Sequence, residues 1–423
     1  MSKSIAIIGG GAGGICAALG AMNTAKVTGE AIEVHLFERN PRLGIKILIS
    51  GGGKCNITHA GPVDEVLREG FPHVNERRFL KSAMYRYTNE DILSLLERHG
   101  VLCHARDNGR VFPNSGRAED VLMAFESELR NAGVVVHTKT RIEKIDREGS
   151  GWNILSSERV YSPDALILAT GGTSYSKTGT SGDGIRYAMS LGHTIVPLRS
   201  ALAPIYLKRV LTQELVGIAL RNIIIYVARD HKVLATVSGD VLLTHRGLSG
   251  PAVLGISREA ASLITEGPIA IQVNILARDE SDARDMIVFE QQSRGQQQVK
   301  TWIEELLPNR FAPYVLAQAE IPFDRKWNAL TREERTRMLT ALTRYDFGAV
   351  SEVPLERGEV TAGGVSLKEL DPKTMMSRII PGLFFAGEML DIAGEIGGYN
   401  LQAAYSTGWV AGEEAMKLLA RAK

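Results

Sequence analysis

Cysteine is scarce in this chain: Cys16, Cys55 and Cys103 are the only three in 423 residues, and none forms a CxxC or CxxxxC pair. That excludes a disulfide framework and a vicinal redox disulfide, and it suits a reducing, cytoplasmic setting. Charge of one sign is lacking as well. Forty-nine Lys and Arg stand against 48 Asp and Glu, a formal charge of +1, so no global field draws the protein to nucleic acid or anionic lipid. No segment reaches the roughly 18 consecutive apolar residues of a membrane span. The first residues run straight into a strand without a basic and then apolar leader. HExxH, Walker A, GxSxG and paired-cysteine metal patterns are missing and the nine histidines do not cluster at ligand spacing, so no metal is expected.

What is present reads as an ordinary globular chain, 44% hydrophobic and 23% charged, of a size for two or three packed domains. Ser4 to Ile8 is an apolar run feeding glycines, Gly13 to Met22 an apolar helix, and Ile32 to Phe37 a second strand. Thr88 with Asp91 caps a helix through His99, and Ala118 to Ala132 is helical until Gly133. Short strands follow at Val134 to His137, Arg141 to Asp146 and Ala165 to Leu168. From about Pro197 the texture turns β-rich, with extended pieces at Asn222 to Val227, Val233 to Val237, Val241 to Thr244 and Ile269 to Leu276. Asp279 to Tyr345 is mainly helical and includes a Thr331/Glu334 capping box; the Gln291 to Gln298 patch reads as a solvated helix end. After Ser351 the extended pattern resumes. Ile379 to Ala386 reads as a buried strand, and a last helix runs from Asn400 towards Ala422.

Gly9 to Gly14 satisfies GxGxxG at Gly9, Gly11 and Gly14, directly after a strand and opening a helix. Gly9 permits the tight turn, Gly11 lets a pyrophosphate approach the backbone, and Gly14 allows close helix–strand packing. Ala12 and Gly13 lie within the same loop. Glu38, 24 residues after Gly14, is placed to accept the hydroxyls of an adenosine ribose, which favours FAD or NAD over NADP by charge. Arg39 is either an adenine neighbour or a solvated side chain. Leu48 to Asn56, after Lys46, carries Ser50, Gly51, Gly52, Gly53, Cys55 and Asn56, a loop that frees its backbone to approach a ligand. Cys55 is either a flavin-adjacent thiol or a small buried residue. Ala165 to Leu168 is followed by Thr170, Gly171 and Gly172, and ligands of parallel sheets lie beyond such carboxyl ends. Ser174 to Gly184 lines a substrate mouth or forms a surface turn. The Leu383 strand ends at Gly387 and Glu388, and the last helix starts near Gly398, Tyr399, Asn400 and Leu401. Its unpaired amides would stabilise negative charge on the N1 and C2-carbonyl edge of a reduced flavin, which favours flavin over nicotinamide. No second GxGxxG unit for a separate NAD(P)H domain is present.

Gly9 to Gly14, Ser50-Gly-Gly-Gly-Lys-Cys-Asn56, Gly109-Arg-Val-Phe-Pro113, Ala169-Thr-Gly-Gly172, Thr244-His-Arg-Gly-Leu-Ser-Gly-Pro251, Glu359-Val-Thr-Ala-Gly-Gly-Val365 and Gly397-Gly-Tyr-Asn400 occur in this order. Over almost the whole chain they resemble the bacterial aminoacetone-oxidase-like (BaiN-like) FAD flavoproteins of the glutathione-reductase-like superfamily. The resemblance implies an α/β fold: a split Rossmann-like FAD domain (1–196 and 359–423), an inserted β-barrel-like domain (197–278 and 345–358) and a helical insertion within that (279–344). It also implies FAD contacts at the Gly9 loop, Glu38, Arg39, Lys46, the Ser50 loop, Thr170, Gly171, Gly387, Glu388 and Gly398 to Leu401. The strand at Ile142 would present its backbone to adenine. Lys54, His59 and Ala393 depart from that family's usual arginine, asparagine and aspartate, and the Thr24 to Ala31 link is longer than usual.

The expected function is an FAD-dependent oxidoreductase that moves a hydride between a small organic substrate, or NAD(P)H, and flavin N5. An amine or aminoketone oxidase and an NAD(P)H-dependent C=C reductase are its two variants. A flavin-dependent RNA-modifying protein and a non-catalytic flavin-binding partner are the other classes. Substrate-side candidates are His245, Tyr175, Arg110 and Tyr399; His245 stands out because an imidazole exchanges a proton near neutral pH. The expected partners are a small-molecule substrate, with NAD(P)H as a candidate electron donor, and no nucleic acid and no membrane; the oligomeric state is open.

Overall fold

The computed structural model describes residues 3–175, 178–230 and 232–421. Ser176 and Lys177 of the Ser174 to Gly184 stretch, and Ala422 at the expected helix end, lie outside the described residues. Two compact units form, one from Met1–Leu198 with Val360–Lys423 and one from Arg199–Glu359.

The first unit is built on β1 (Lys3–Ile8), β2 (Ile32–Phe37), β3 (Val135–His137), β4 (Ala165–Leu168) and β5 (Leu383–Phe385), all parallel, in the order β5-β4-β1-β2-β3. β1 and β4 read as continuous apolar runs because both of their faces are buried: Ile5, Ile7 and Ala165 to Leu168 have no exposed surface. Helix α1 (Ala12–Thr28) follows the glycine loop and runs past the expected Met22, so most of the long link after Thr24 is helix, ended by Gly29 in the left-handed region. It packs against the last helix, α3 (Tyr399–Arg421), backbone to backbone. A Cβ on Gly20 would sit 2.3 Å from Trp409 O, and one on Gly412 1.9 Å from Ala17 O. β5 is shorter than the Ile379 to Ala386 run suggested; Ile379 is half exposed. The Thr88/Asp91 capping box is present at the start of Asn89–Arg98.

The second unit is a closed antiparallel barrel in the order Ile205–Leu207, Gly247–Ser249, Lys232–Thr244, Ala219–Arg229, Ala270–Asn274 and Tyr345–Glu352. Ile223, Ile225, Val227, Ile271 and Val273 alternate into its core, as the period-two pattern requires. Val233 to Val237 and Val241 to Thr244 are one continuous strand. Helices Glu280–Ser293, Val299–Leu306, Ala312–Gln318 and Arg332–Thr343 stand between the last two barrel strands in sequence and pack around Trp302 and Trp327, whose ring centroids are 5.3 Å apart. Gln291 is no solvated end: it donates to Trp327 O (2.9 Å) and Leu330 O (3.1 Å) and accepts from Arg335 (2.6 Å). No helix among the described residues is long and apolar enough to cross a membrane.

Candidate functional site

The glycines after β1 do two different things. A Cβ on Gly9, at φ +111, would be 2.4 Å from Ala169 O, and one on Gly14 would be 1.8 Å from Gly9 O; at Gly11 nothing lies within 4 Å. Gly9 and Gly14 therefore permit packing, and Gly11 leaves an open face. The amides of Ala12, Gly13 and Gly14 have no acceptor among the described residues, so the α1 N-terminus presents N–H groups to an anion. A Cβ on Gly13 would lie 3.5 Å from Gly387 Cα, so the start of α1 packs close to the residue that follows β5.

Glu38 ends β2 with its carboxylate accepting the Gly10 amide (2.9 Å) and the Asn40 amide (2.8 Å). Burial raises its pKa and those two bonds oppose the rise. Arg39 is neither free nor simply solvated: it pairs with Asp183 (3.2 Å) and donates to Ser181 Oγ (2.6 Å), while Arg141 reaches the same aspartate. The Ile142 carbonyl accepts from the Tyr187 hydroxyl.

Helix α2 (Ile45–Gly53) occupies much of the segment expected as a glycine loop. Its helical turn breaks at Ser50, after which Gly51 (φ +57), Gly52 (φ +69), Gly53 (φ +84) and Cys55 (φ +56) turn left-handed. Ser50 Oγ donates back to Ile47 O. Cys55 is fully buried, and burial pushes its thiol up to about 12, so it is a packed neutral thiol. With its amide nitrogen towards Thr58 O (3.2 Å) and Val111 O (3.3 Å), Asn56 accepts the Gly398 N–H at 3.0 Å.

That bond corrects the expectation for Gly398, whose amide faces Asn56. The open amides of α3 are those of Tyr399, Asn400 and Leu401, which have no acceptor among the described residues. The Asn400 side chain is engaged elsewhere, bonding Gly394 N (2.8 Å) and Gly394 O (2.9 Å).

Beyond β4 and β5 a polar network gathers. Lys46 Nζ lies 2.6 Å from Glu388 Oε2 and 2.8 Å from Ser174 Oγ, and Glu388 Oε1 accepts the Thr361 amide at 2.8 Å. Thr361 Oγ1 accepts from Thr173 N and Ser174 N, and Gly172 is needed beside it, since a Cβ there would be 2.4 Å from that oxygen. In the sequence Thr361 and Ser174 carry no signal beyond the Glu359 to Val365 motif and the hydroxyl-rich turn. Gly171 is left-handed (φ +77), and Thr170 Oγ1 is buried with no partner.

An FAD molecule fits this donor set. Ala12 to Gly14 would offer amides to a pyrophosphate, with room for it at Gly11; Glu38 would offer a carboxylate at the β2 end, the amides of Tyr399 to Leu401 would serve an electron-rich ring edge, and Thr170 carries an unpartnered hydroxyl.

Of the substrate-side candidates, the structure groups Arg110 with Tyr399. His59 is the cross-strand partner of Arg110 and stacks on Tyr399 with centroids 4.5 Å apart and planes 15° apart. Burial pushes the Tyr399 phenol up to about 12, with the Arg110 guanidinium pulling against it. Tyr175 is half exposed at a left-handed turn (φ +51). His245 belongs to the barrel unit, exposed at the turn between Lys232–Thr244 and Gly247–Ser249. Among the described residues no group of three His, Cys, Asp or Glu side chains could hold a metal.

A family model described as HI0933-like protein Rossmann domain matches residues 3–414. The ribosomal RNA dihydrouridine synthase of Escherichia coli (strain K12) is 30% identical over 412 residues, covering 96% of this chain and 96% of that protein. The 3-dehydro-bile acid delta(4,6)-reductase of Clostridium scindens is 30% identical over 421 residues, covering 97% and 98%. Among solved structures, a variant of the E. coli quinol fumarate reductase FrdA superposes over 100% of this chain and 71% of that one, with a TM-score of 0.52 and 14% identity, a likeness of fold.

Proposed function

The chain belongs to the HI0933-like Rossmann-domain family of FAD-binding oxidoreductases, and from that premise we propose that it saturates a C=C bond conjugated to a carbonyl, with NAD(P)H as electron donor. Two relatives' names describe one chemistry. A delta(4,6)-reductase of a 3-dehydro bile acid reduces double bonds in conjugation with a ketone, and dihydrouridine is uridine with the double bond beside its carbonyl reduced.

The observation that carries this reading is that His59 links the two candidates at the opening of α3, as the cross-strand partner of Arg110 and stacked on the Tyr399 ring. Bound FAD supplies hydride transfer at N5. The Ala12 to Gly14 amides would hold its pyrophosphate, Glu38 its ribose, and the amides of Tyr399 to Leu401 its ring edge. The Arg110 guanidinium is suited to hold a substrate carbonyl oxygen, always charged and rich in donors. With its pKa near 12 the Tyr399 phenol is protonated at neutral pH and stands ready to give a proton to the carbon next to that carbonyl. Electrons balance: the donor loses a hydride, one alkene carbon gains it, and the other gains the phenol's proton, which solvent restores.

Anaerobic mixing of the holoprotein with NADH, NADPH and a panel of amines, followed by an enone, tests the reading. Bleaching by a nicotinamide and recovery by the enone are expected. Bleaching by an amine alone would make the protein an oxidase. The E. coli relative favours a second form of the same chemistry, with a uracil ring in RNA as acceptor. Salt-sensitive retention of ribosomal RNA by the purified protein would support it, and the absence of binding at low salt would remove it.

A further inference from the structure

We infer that His59 positions the Tyr399 phenol, acting through its ring face and not through proton exchange. The inference rests on the reading of Tyr399 as proton donor. No described residue hydrogen-bonds the phenol oxygen, so the faces around the ring set its plane. His59 covers one face at 4.5 Å and 15°, and Phe71 meets the ring edge-on at 6.4 Å and 72°.

The imidazole is itself tightly held. Its Nδ1 lies 2.8 Å from Ala60 O and its Nε2 3.1 Å from Asn108 O. Both nitrogens face backbone carbonyl oxygens, which only accept, so any N–H the ring carries is received by the backbone. Neither nitrogen is left to face a substrate. The backbone beneath is pinned too: Asn89, 5% exposed, donates to the carbonyls of His59 and Gly61, both at 3.0 Å. Three glycines leave a slot for two flat rings. A Cβ on Gly109 would be 2.1 Å from His59 Cε1, on Gly397 2.6 Å from Tyr399 Cε2, and on Gly70 2.3 Å from Tyr399 Cδ1. A donor locked in plane stays aligned with the carbon it protonates, and misplacement by an ångström costs large factors in rate.

The test compares wild type, His59→Ala and His59→Phe as holoproteins, reading reoxidation of dithionite-reduced flavin by 2-cyclohexenone across pH, together with a crystal structure of each. His59→Ala should slow reoxidation by roughly tenfold or more, leave FAD content and the shape of the pH profile unchanged, and show the Tyr399 ring displaced. His59→Phe, which keeps a flat face without ring nitrogens, should recover most of the rate and the ring plane. An unmoved Tyr399 ring in His59→Ala would overturn the inference. So would loss of a neutral-pH limb in both variants, which would make His59 a proton carrier. If wild type reduced no enone, the functional reading would fail, and the Tyr399 plane in the His59→Ala crystal would still decide the positioning.

Discussion

Lys46 Nζ and Glu388 Oε2, 342 residues apart in the chain, lie 2.6 Å from each other and tie α2 to the end of β5. Both are largely buried, with side chains 30% and 17% exposed, and Ser174 and Thr361 complete their bonds. Lys46→Met leaves the Glu388 carboxylate without its cation and should destabilise the protein by about 1–3 kcal/mol. Glu388→Gln should cost less. Denaturant unfolding of the FAD-free forms measures both, and equal stability of all three proteins would show the pair to be idle.

Two glycines of one loop should respond oppositely to alanine. Gly14→Ala puts a methyl 1.8 Å from Gly9 O and should cost several kcal/mol or prevent folding, as overpacking at a backbone contact does. Gly11→Ala meets nothing within 4 Å and should fold normally while losing FAD affinity. Thermal melts of the FAD-free proteins with FAD titrations separate the two effects. Unchanged FAD affinity in Gly11→Ala would place the pyrophosphate elsewhere.

Acid should destabilise the first unit before its carboxylates titrate in bulk. Burial lowers the pKa of His193, whose Nδ1 faces Glu369 (2.9 Å) and whose Nε2 faces Ser377 Oγ (3.0 Å). Burial, helped by His35 and Arg159, takes His137 down to about 4. A histidine with a depressed folded pKa contributes stability that is complete above its unfolded value, near 6.5, and is lost as pH falls towards the folded value. Melting temperature should therefore drop between pH 7 and pH 4, and His137→Phe, which keeps a ring against Phe37, should flatten part of the drop. A flat profile for wild type over that range would contradict these shifts.

The thiols should be inert. Burial pushes Cys55 up to about 12 and Cys103 up to about 11, and raises Cys16 further, so little thiolate exists at neutral pH. Iodoacetamide at pH 7.5 should label the native protein far more slowly than the unfolded one. Rapid labelling of Cys55 in the native state would show that its pocket opens.

What the chain revealed in advance was whatever local chemistry decides. Gly9 to Gly14 had strand and helix on either side, Thr88/Asp91 and Thr331/Glu334 carried capping boxes in their spacing, and the barrel strands stood out as extended pieces. What stayed hidden depends on partners far away in sequence. Gly398 seemed free to face a ligand because nothing local takes its N–H; Asn56 does. Gln291 looked solvated because its acceptors are 36 and 39 residues on. Ile379 to Ala386 looked like one strand, yet only Leu383–Phe385 finds β4 beside it. Arg110 and Tyr399 were legible as candidates one by one, and their link was not, since the strand of one and the helix of the other are joined through the tertiary packing of His59.

The most direct test of the proposed reaction is single-turnover reoxidation of the dithionite-reduced holoprotein by an α,β-unsaturated ketone without oxygen, in wild type and in Tyr399→Phe. The proposed reaction requires stoichiometric formation of the saturated ketone by wild type, and a rate roughly 10²-fold lower in Tyr399→Phe with its FAD fully retained. Reduced wild type that ignores every enone yet passes its electrons to oxygen, or a Tyr399→Phe variant as fast as wild type, would contradict it.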